Sequence, residues 1–316
     1  MQYLSLFIVT FMVATLYGCG NDASTSATAN TSFAVSDAPV DDASSVTIAF
    51  TQVELVNSDG ESIFLDVTPT NPNDDYEQID LLDYQGEDSA VIVSSLPVPI
   101  GSYQNLILHI SSESGVNFVD DQNGTNELKQ PSNKLRLGSF EITEAATQAF
   151  TIEFDLRQSL VMRGNLGNNN GYILKPHGVT ILDSSAVSLN GTVDQNLFTA
   201  DASCTVDTKN YIYLYSGVGL AVADLIDLVD EADEEFDANT PVPVGAIAPY
   251  ASTEVADNGE YSFGFLPAGD YTVAFTCNGD GDDPIQYDSA VSIPLPIDKV
   301  SEVTLTPEAS GVVNFL

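Results

Sequence analysis

Short runs of alternating apolar and polar residues, each closed by a turn string, fill this 316-residue chain from about residue 33 to its end and confine it to β-sheet. A period of two sends successive side chains to opposite faces, so each run presents one face to a core and one to water. Val46–Val56 (VTIAFTQVELV) is the longest such run, and Ser62–Val67, Ala90–Ser94, Gln104–Ile110, Lys134–Leu137, Phe150–Phe154, Tyr172–Lys175 and Val179–Leu182 follow it. Asn57–Gly60, Asn71–Asp75, Asp120–Gly124 and Gly167–Gly171 punctuate them with residues that favour turns. Many short strands with regular turn signals specify an all-β sandwich or barrel.

The pattern restarts after Asp183-Ser184-Ser185, at Ala186–Val193, Tyr211–Tyr215, Gly259–Phe263, Asp270–Thr276 and Ser301–Thr306. Two domains are therefore expected, at 33–183 and 184–316, each of ordinary domain size. One segment departs from the strand pattern. In Val222–Asn239 (VADLIDLVDEADEEFDAN), Leu225, Ile226, Val229 and Ala232 recur at helical spacing, which predicts a short acidic helix in an inserted loop. Its charged face is either solvated or a docking surface.

At the N-terminus, Tyr3–Tyr17 is apolar but shorter than the roughly 20 residues of a membrane-spanning helix, and it suits the core of a signal peptide. Leu16-Tyr17-Gly18-Cys19 resembles a bacterial lipobox, which implies cleavage after residue 18 and lipid on Cys19. Against this, the leader has no Lys or Arg and Tyr17 is bulky for its position, so an ordinary secretory signal is the alternative. Residues 19–32 read as a flexible tether of small polar residues. Gly20, rather than an aspartate, follows the cysteine; by resemblance to proteobacterial lipoproteins this implies the outer membrane, facing the periplasm or the exterior. If Cys19 carries lipid, Cys204 and Cys277 remain as an even pair in an oxidising compartment, expected as a disulfide rather than two free thiols.

Net charge is −38, all of it beyond residue 18. Such a surface repels nucleic acid, which is excluded as a partner. It fits adaptation to a saline environment, divalent-cation binding at defined loops, or both. Of eight basic residues, Lys129, Lys134, Arg136, Arg157, Arg163 and Lys175 fall in one stretch. Lys134, Arg136 and Arg157 are candidates for an anionic-ligand site; the alternative is local ion pairs, each worth little.

Val35–Pro39, Asp41-Asp42-Ala43, Val46–Glu54, Ile79–Leu82 with Gly86, Leu96-Pro97 through Gly101-Ser102-Tyr103, Pro131-Ser132, Phe154-Asp155, Ser159 and Tyr172–Pro176 occur in that order. Through them residues 33–183 resemble a bacterial family of unknown function, number 4382 in the domain-of-unknown-function series. The resemblance covers nearly the whole first half. It implies an exported, often lipid-anchored β-rich domain without an assigned activity. Asn190–Val193, Asp257–Phe263 and Leu266–Val273 make the second half similar to a carboxypeptidase-regulatory or transthyretin-like sandwich, which implies a spacer or binding module. The fold expected is thus two β-sandwich domains of the immunoglobulin and transthyretin-like kind.

Catalytic signals are sparse. His109 lies in an apolar strand and His177 follows Lys175-Pro176; both read as structural. HExxH, GxSxG, P-loop and paired CxxC motifs are absent from the sequence, and no catalytic residue is assigned. Calcium is the expected cation, since it takes six to eight hard oxygens. The densest supply is Asn278–Asp283, with Asp280, Asp282 and Asp283 as ligands; Asp37 with Asp41 and Asp42, and Asn73 with Asp74 and Asp75, are weaker sets. An ordinary turn is the alternative in each case. The expected function is a lipid-anchored envelope protein in a non-enzymatic binding, adhesion or scaffolding role, with a protein or glycan partner. A solute- or calcium-binding protein is the first alternative and an envelope hydrolase the last.

Overall fold

The computed structural model describes residues 27–38, 43–143, 147–165, 168–205, 208–307 and 309–316. The leader, Cys19, Asp41 and Asp42 lie outside the described residues. The chain is all-β, two β-sandwiches in tandem, with one core built from residues 29–179 and another from residues 187–315.

In the first sandwich, strand Thr28–Ala38 runs between Ala90–Pro99, antiparallel to it, and Thr147–Asp155, parallel to it; Val179–Asp183 completes this sheet. The expected tether therefore stops short of residue 32, because Thr28–Ser32 are already in the strand. The reason is burial: Ala29 and Thr31 are inaccessible, continuous with Phe33 and Val35. The facing sheet is built around Ala43–Asn57, which pairs with Gly101–Ile110, Phe118–Asp121, Ser62–Asp66 and Glu77–Asp80. Between the sheets Phe33 stacks on Phe150 at 5.5 Å, and Phe140 meets Phe150 edge-on at 5.3 Å and stacks on Tyr103 at 5.1 Å. Each such ring contributes about 1.5–3 kcal/mol through the apolar surface it removes from water.

The second sandwich packs Val187–Thr192, Glu260–Leu266 and Gly311–Val312 against a sheet ordered Ala251–Glu254, Tyr211–Ser216, Gly269–Thr276, Val300–Leu305. The Cys204–Cys277 disulfide, as expected, ties this core together across 73 residues of sequence, with Cα atoms 5.5 Å apart. Both sandwiches carry one local device, P-x-G-x-Y. The Tyr103 hydroxyl donates to the Pro99 carbonyl (2.7 Å) and the Tyr271 hydroxyl to the Pro267 carbonyl (2.9 Å), each tying a strand start to the turn before it.

The acidic segment is not the expected helix. Beyond a single 3-10 turn at Val222–Asp224, it runs as bridges and turns. Leu225 bridges to Ile247, and the Ile226 amide donates to the Ile247 carbonyl. Further on, the aspartates cap their own turns: Asp230 accepts from the Ala232 amide, Asp233 from Glu235 and Asp237 from Asn239. These local side-chain bonds offer the backbone an alternative to helix, and three in eight residues prevail over the apolar spacing. Among the described residues no helix is long and apolar enough to cross a membrane.

Candidate functional site

Strand Tyr211–Ser216 reads Tyr-Ile-Tyr-Leu-Tyr-Ser, and its alternation divides two environments. Ile212 and Leu214 enter the core between the sheets. Tyr211, Tyr213 and Tyr215 line the outer face, where they pack with Leu225, Leu228, Ala274 and Ile293. The acidic segment and the loop after Cys277 thus cover three tyrosines that would otherwise face water. Gly279 permits the close approach of the second loop: a Cβ there would fall 2.2 Å from a Tyr211 ring carbon.

Each tyrosine meets a different partner. Tyr213 donates to Asp282 Oδ2 (2.6 Å), and Tyr215 donates to the Ile226 carbonyl (2.7 Å). Over Tyr211, at 4.2 Å from the ring centroid, lies the guanidinium of Arg157, which belongs to the first sandwich. Burial holds the Tyr213 and Tyr215 phenols far above their ordinary range, so both remain donors.

Arg157 is placed by a one-turn helix, Leu156–Ser159, whose N-cap Asp155 accepts from the Gln158 amide. Its Nη1 donates to Ser252 Oγ (2.5 Å) and its Nη2 to Asp282 Oδ2 (3.1 Å), with both side chains of the ion pair inaccessible. Around it the sandwiches are joined by Gln158 Nε2 to the Tyr250 carbonyl (3.2 Å), Lys175 to Asp233, His177 to Asp230 (3.6 Å) and Ser188 to Glu87. The backbones touch as well, since a Cβ on Gly264 would lie 1.9 Å from the Gly86 carbonyl oxygen. A cleft of about 440 Å³ opens beside the joint, lined by Arg157, Tyr172, Lys209, Tyr211, Asp280 and Asp282 among others.

Behind the Arg157–Asp282 pair, Asp227, Asp282 and Asp288 each present a carboxylate oxygen within 4.8 Å of the other two. Their Oδ2 atoms are restrained by the protein. Asp227 Oδ2 accepts from the Asp288 amide (2.6 Å), Asp288 Oδ2 from the Asp283 amide (2.7 Å), and Asp282 Oδ2 from Tyr213 and Arg157. Burial, reinforced by the Asp282 charge, pushes Asp227 up to about 7. Burial raises Asp282 to about 6, against the opposing pull of Arg157. Asp288 is raised by burial and by the charge of Asp283.

The residues singled out from sequence distribute differently. Of the 278–283 loop, Asp282 turns inward to this cluster, while Asp280 and Asp283 are exposed. Asp37 is buried in the first sandwich, and among the described residues neither of its oxygens has a hydrogen-bond partner. Asn71 Nδ2 donates to Asp74 Oδ2 (2.7 Å) within an ordinary exposed turn. The basic residues go to separate carboxylates: Lys134 to Glu54 (3.4 Å), Lys129 to Glu127 (2.9 Å), Lys175 to Asp233 and Arg157 to Asp282. Arg136 stands exposed on the strand of Lys134. His109 Nε2 pairs with Glu54 (2.8 Å). Asp227 and Asp288 were not singled out from sequence, because nothing separates them from the other acidic residues of their loops. The one available signal was the tyrosine alternation at 211–215, whose outer face needed a cover.

Residues 28–176 match the model of a family described as a domain of unknown function, DUF4382. Comparison with curated proteins finds no match. Among solved structures the chain is similar to the Bacillus anthracis TIE protein, at 11% identity over 90% of this chain and 33% of that one, with a TM-score of 0.19. It is similar to a streptococcal ancillary pilin at 11% identity, over 90% and 67% of the two chains, with a TM-score of 0.21. The major pilin subunit of Bacillus cereus gives 11% identity over 87% and 59%, with a TM-score of 0.18. The chain spans a third of the length of the first of these, and at such scores no role passes from them to it.

Proposed function

We propose that this chain is an exported cell-envelope protein with a non-enzymatic role, a stiff two-sandwich spacer or scaffold tethered by lipid on Cys19. The observation that carries the reading is the sealed joint. Arg157, Gln158, Lys175 and Glu87 of the first sandwich are each engaged by groups of the second, so the two domains present one continuous body. Loosely linked domains move relative to one another unless their interface is extensive; a buried arginine reaching into the neighbouring domain opposes that motion. The Cys204–Cys277 disulfide supports an oxidising, extracytoplasmic compartment. The second sandwich, in this reading, is the carboxypeptidase-regulatory-like spacer, and the first bears the surface for a protein or glycan partner. The lipobox-like Leu16–Cys19 and Gly20 support an outer-membrane anchor.

The test is metabolic labelling of the full chain with an alkyne-bearing fatty acid in a Gram-negative host, alongside deletion in cells that carry the gene. The expected result is label on the wild type, none on Cys19→Ser, and loss of attachment or envelope integrity on deletion. Equal label on Cys19→Ser, or a deletion phenotype traced to loss of an enzymatic turnover, sinks the reading.

A further inference from the structure

Among the described residues, the Asp227–Asp282–Asp288 cluster brings three carboxyl groups together, with Arg157 ion-paired to one of them. Within the cluster, Arg157 Nη2 donates to Asp282 Oδ2. Asp282 Oδ1 and Asp227 Oδ1 are buried without a hydrogen-bond partner among the described residues, and the whole Asp227 residue is inaccessible. An unpaired buried carboxylate oxygen forfeits its hydration with no return. Two in one cluster, beside a third carboxylate, call for a cation at that point. The remaining oxygens are occupied in a way that serves such an ion: each Oδ2 is held by a backbone amide or by Tyr213 and Arg157, which fixes the carboxylates in orientation.

From this geometry we infer a divalent-cation site, filled by calcium, formed by Asp227, Asp282 and Asp288 at the joint between the two sandwiches. The donor set is all oxygen and all carboxylate, the chemistry of a hard cation, and calcium accepts the irregular coordination that two loops and several waters provide. Two ligands on opposite sides of a calcium stand about 4.6–5.2 Å apart, so a spread of up to 4.8 Å accommodates the ion. The site differs from the 278–283 turn, whose Asp280 and Asp283 face solvent. Because Asp282 also holds Arg157, an ion here braces the loops that the first sandwich docks against. The inference is independent of lipid anchoring.

The chain has no tryptophan, Tyr213 is bonded to Asp282, and the Asp282 and Asp227 charges act on Tyr215, so bound terbium would be sensitised by tyrosine. The experiment titrates the full chain, purified in detergent with sodium chloride in excess, with terbium alone and then with calcium or magnesium as competitor. Tyrosine-excited terbium emission is expected in the wild type, displaced by calcium in preference to magnesium. It should be lost in Asp227→Asn with Asp288→Asn and retained in Asp280→Asn with Asp283→Asn. Emission that survives the first pair, or vanishes in the second, overturns the site. A melt guards against misfolding. The metal-free Asp227→Asn chain should melt at or above the wild-type midpoint, because one of three crowded carboxylates is gone. Calcium at about a hundredfold over its dissociation constant should raise the wild-type midpoint by about 5 °C and leave the variant unmoved. A wild type unmoved by calcium at matched ionic strength also overturns the proposal.

Discussion

The guanidinium of Arg157 lies 4.2 Å above the ring of Tyr211, with a first-sandwich charge stacked on a second-sandwich aromatic and its two arms directed to Ser252 and Asp282. Removing one partner of a buried pair leaves the other charged and unsolvated. Arg157→Ala should therefore cost about 3–5 kcal/mol, measured by urea denaturation in EDTA. Arg157→Lys should recover only part, because a single ammonium cannot serve both acceptors and stack as well. Adding Asp282→Asn to Arg157→Ala should restore stability relative to Arg157→Ala alone; strict additivity of the two would refute the coupling.

Gly264 and Gly86 meet backbone to backbone across the same joint. An alanine Cβ at 264 would lie 1.9 Å from the Gly86 oxygen, a distance no relaxation of a flexible side chain can absorb, since the obstacle is main chain. Gly264→Ala should push the sandwiches apart, costing about 2–3 kcal/mol and widening the interdomain distance distribution in X-ray scattering. An unchanged scattering profile with unchanged stability would show that the domains are not docked here.

Strands were readable from sequence as alternating runs, as in Ala43–Asn57 and Tyr211–Ser216. What covers an outward face was not. Alternation places Tyr211, Tyr213 and Tyr215 on one side, yet the residues that bury them come from 225–228 and from the loop after Cys277, brought near by tertiary structure alone. Val222–Asn239 misled for a related reason: its apolar spacing suits a helix, but Leu225 and Leu228 bury as parts of a bridged, turning segment whose aspartates bind their own amides. Arg157 was legible only as one of three basic candidates for an anionic-ligand site. Its target, Asp282, lies 125 positions away, and no local pattern links them.

The disulfide admits a direct test. Cys204 and Cys277 close a loop with a sequence separation of 73, for which chain entropy alone gives about 4 kcal/mol. Cys204→Ser with Cys277→Ser should lower stability by that order, and dithiothreitol should do the same to the wild type. The loss should concentrate in the second sandwich, read by hydrogen exchange of Gly269–Thr276, while strand Thr28–Ala38 keeps its protection. Uniform loss through both domains would mean that they unfold as one cooperative unit.

Three carboxylates buried in the first sandwich set its response to pH. Glu153 is pushed up to about 8 by burial and by the Asp155 charge, with the Ser36 hydroxyl opposing. Asp37 is raised well above its ordinary value by burial and by Glu153, Asp155 and Asp80. Burial raises Asp155 too, against the donors of Gln158 and the charge of Arg157. Below the ordinary value of 4.5 Glu153 is protonated in both states and contributes no penalty. As pH climbs from there to about 8, the unfolded chain releases a proton that the folded chain retains. Stability then falls by about 1.4 kcal/mol per pH unit for each such group. Glu54, Asp121 and Asp233 act in the opposite direction: despite the cost of burial, their donors hold them low, and the stability they provide disappears as pH drops below the ordinary carboxylate range. The urea midpoint in EDTA should therefore peak at mildly acidic pH, about 5, and decline toward about 8. Glu153→Gln removes the titrating proton while preserving shape, and should flatten that decline. A midpoint that instead rises steadily from about pH 5 to 8 would mean that Glu153 ionises freely in the folded chain.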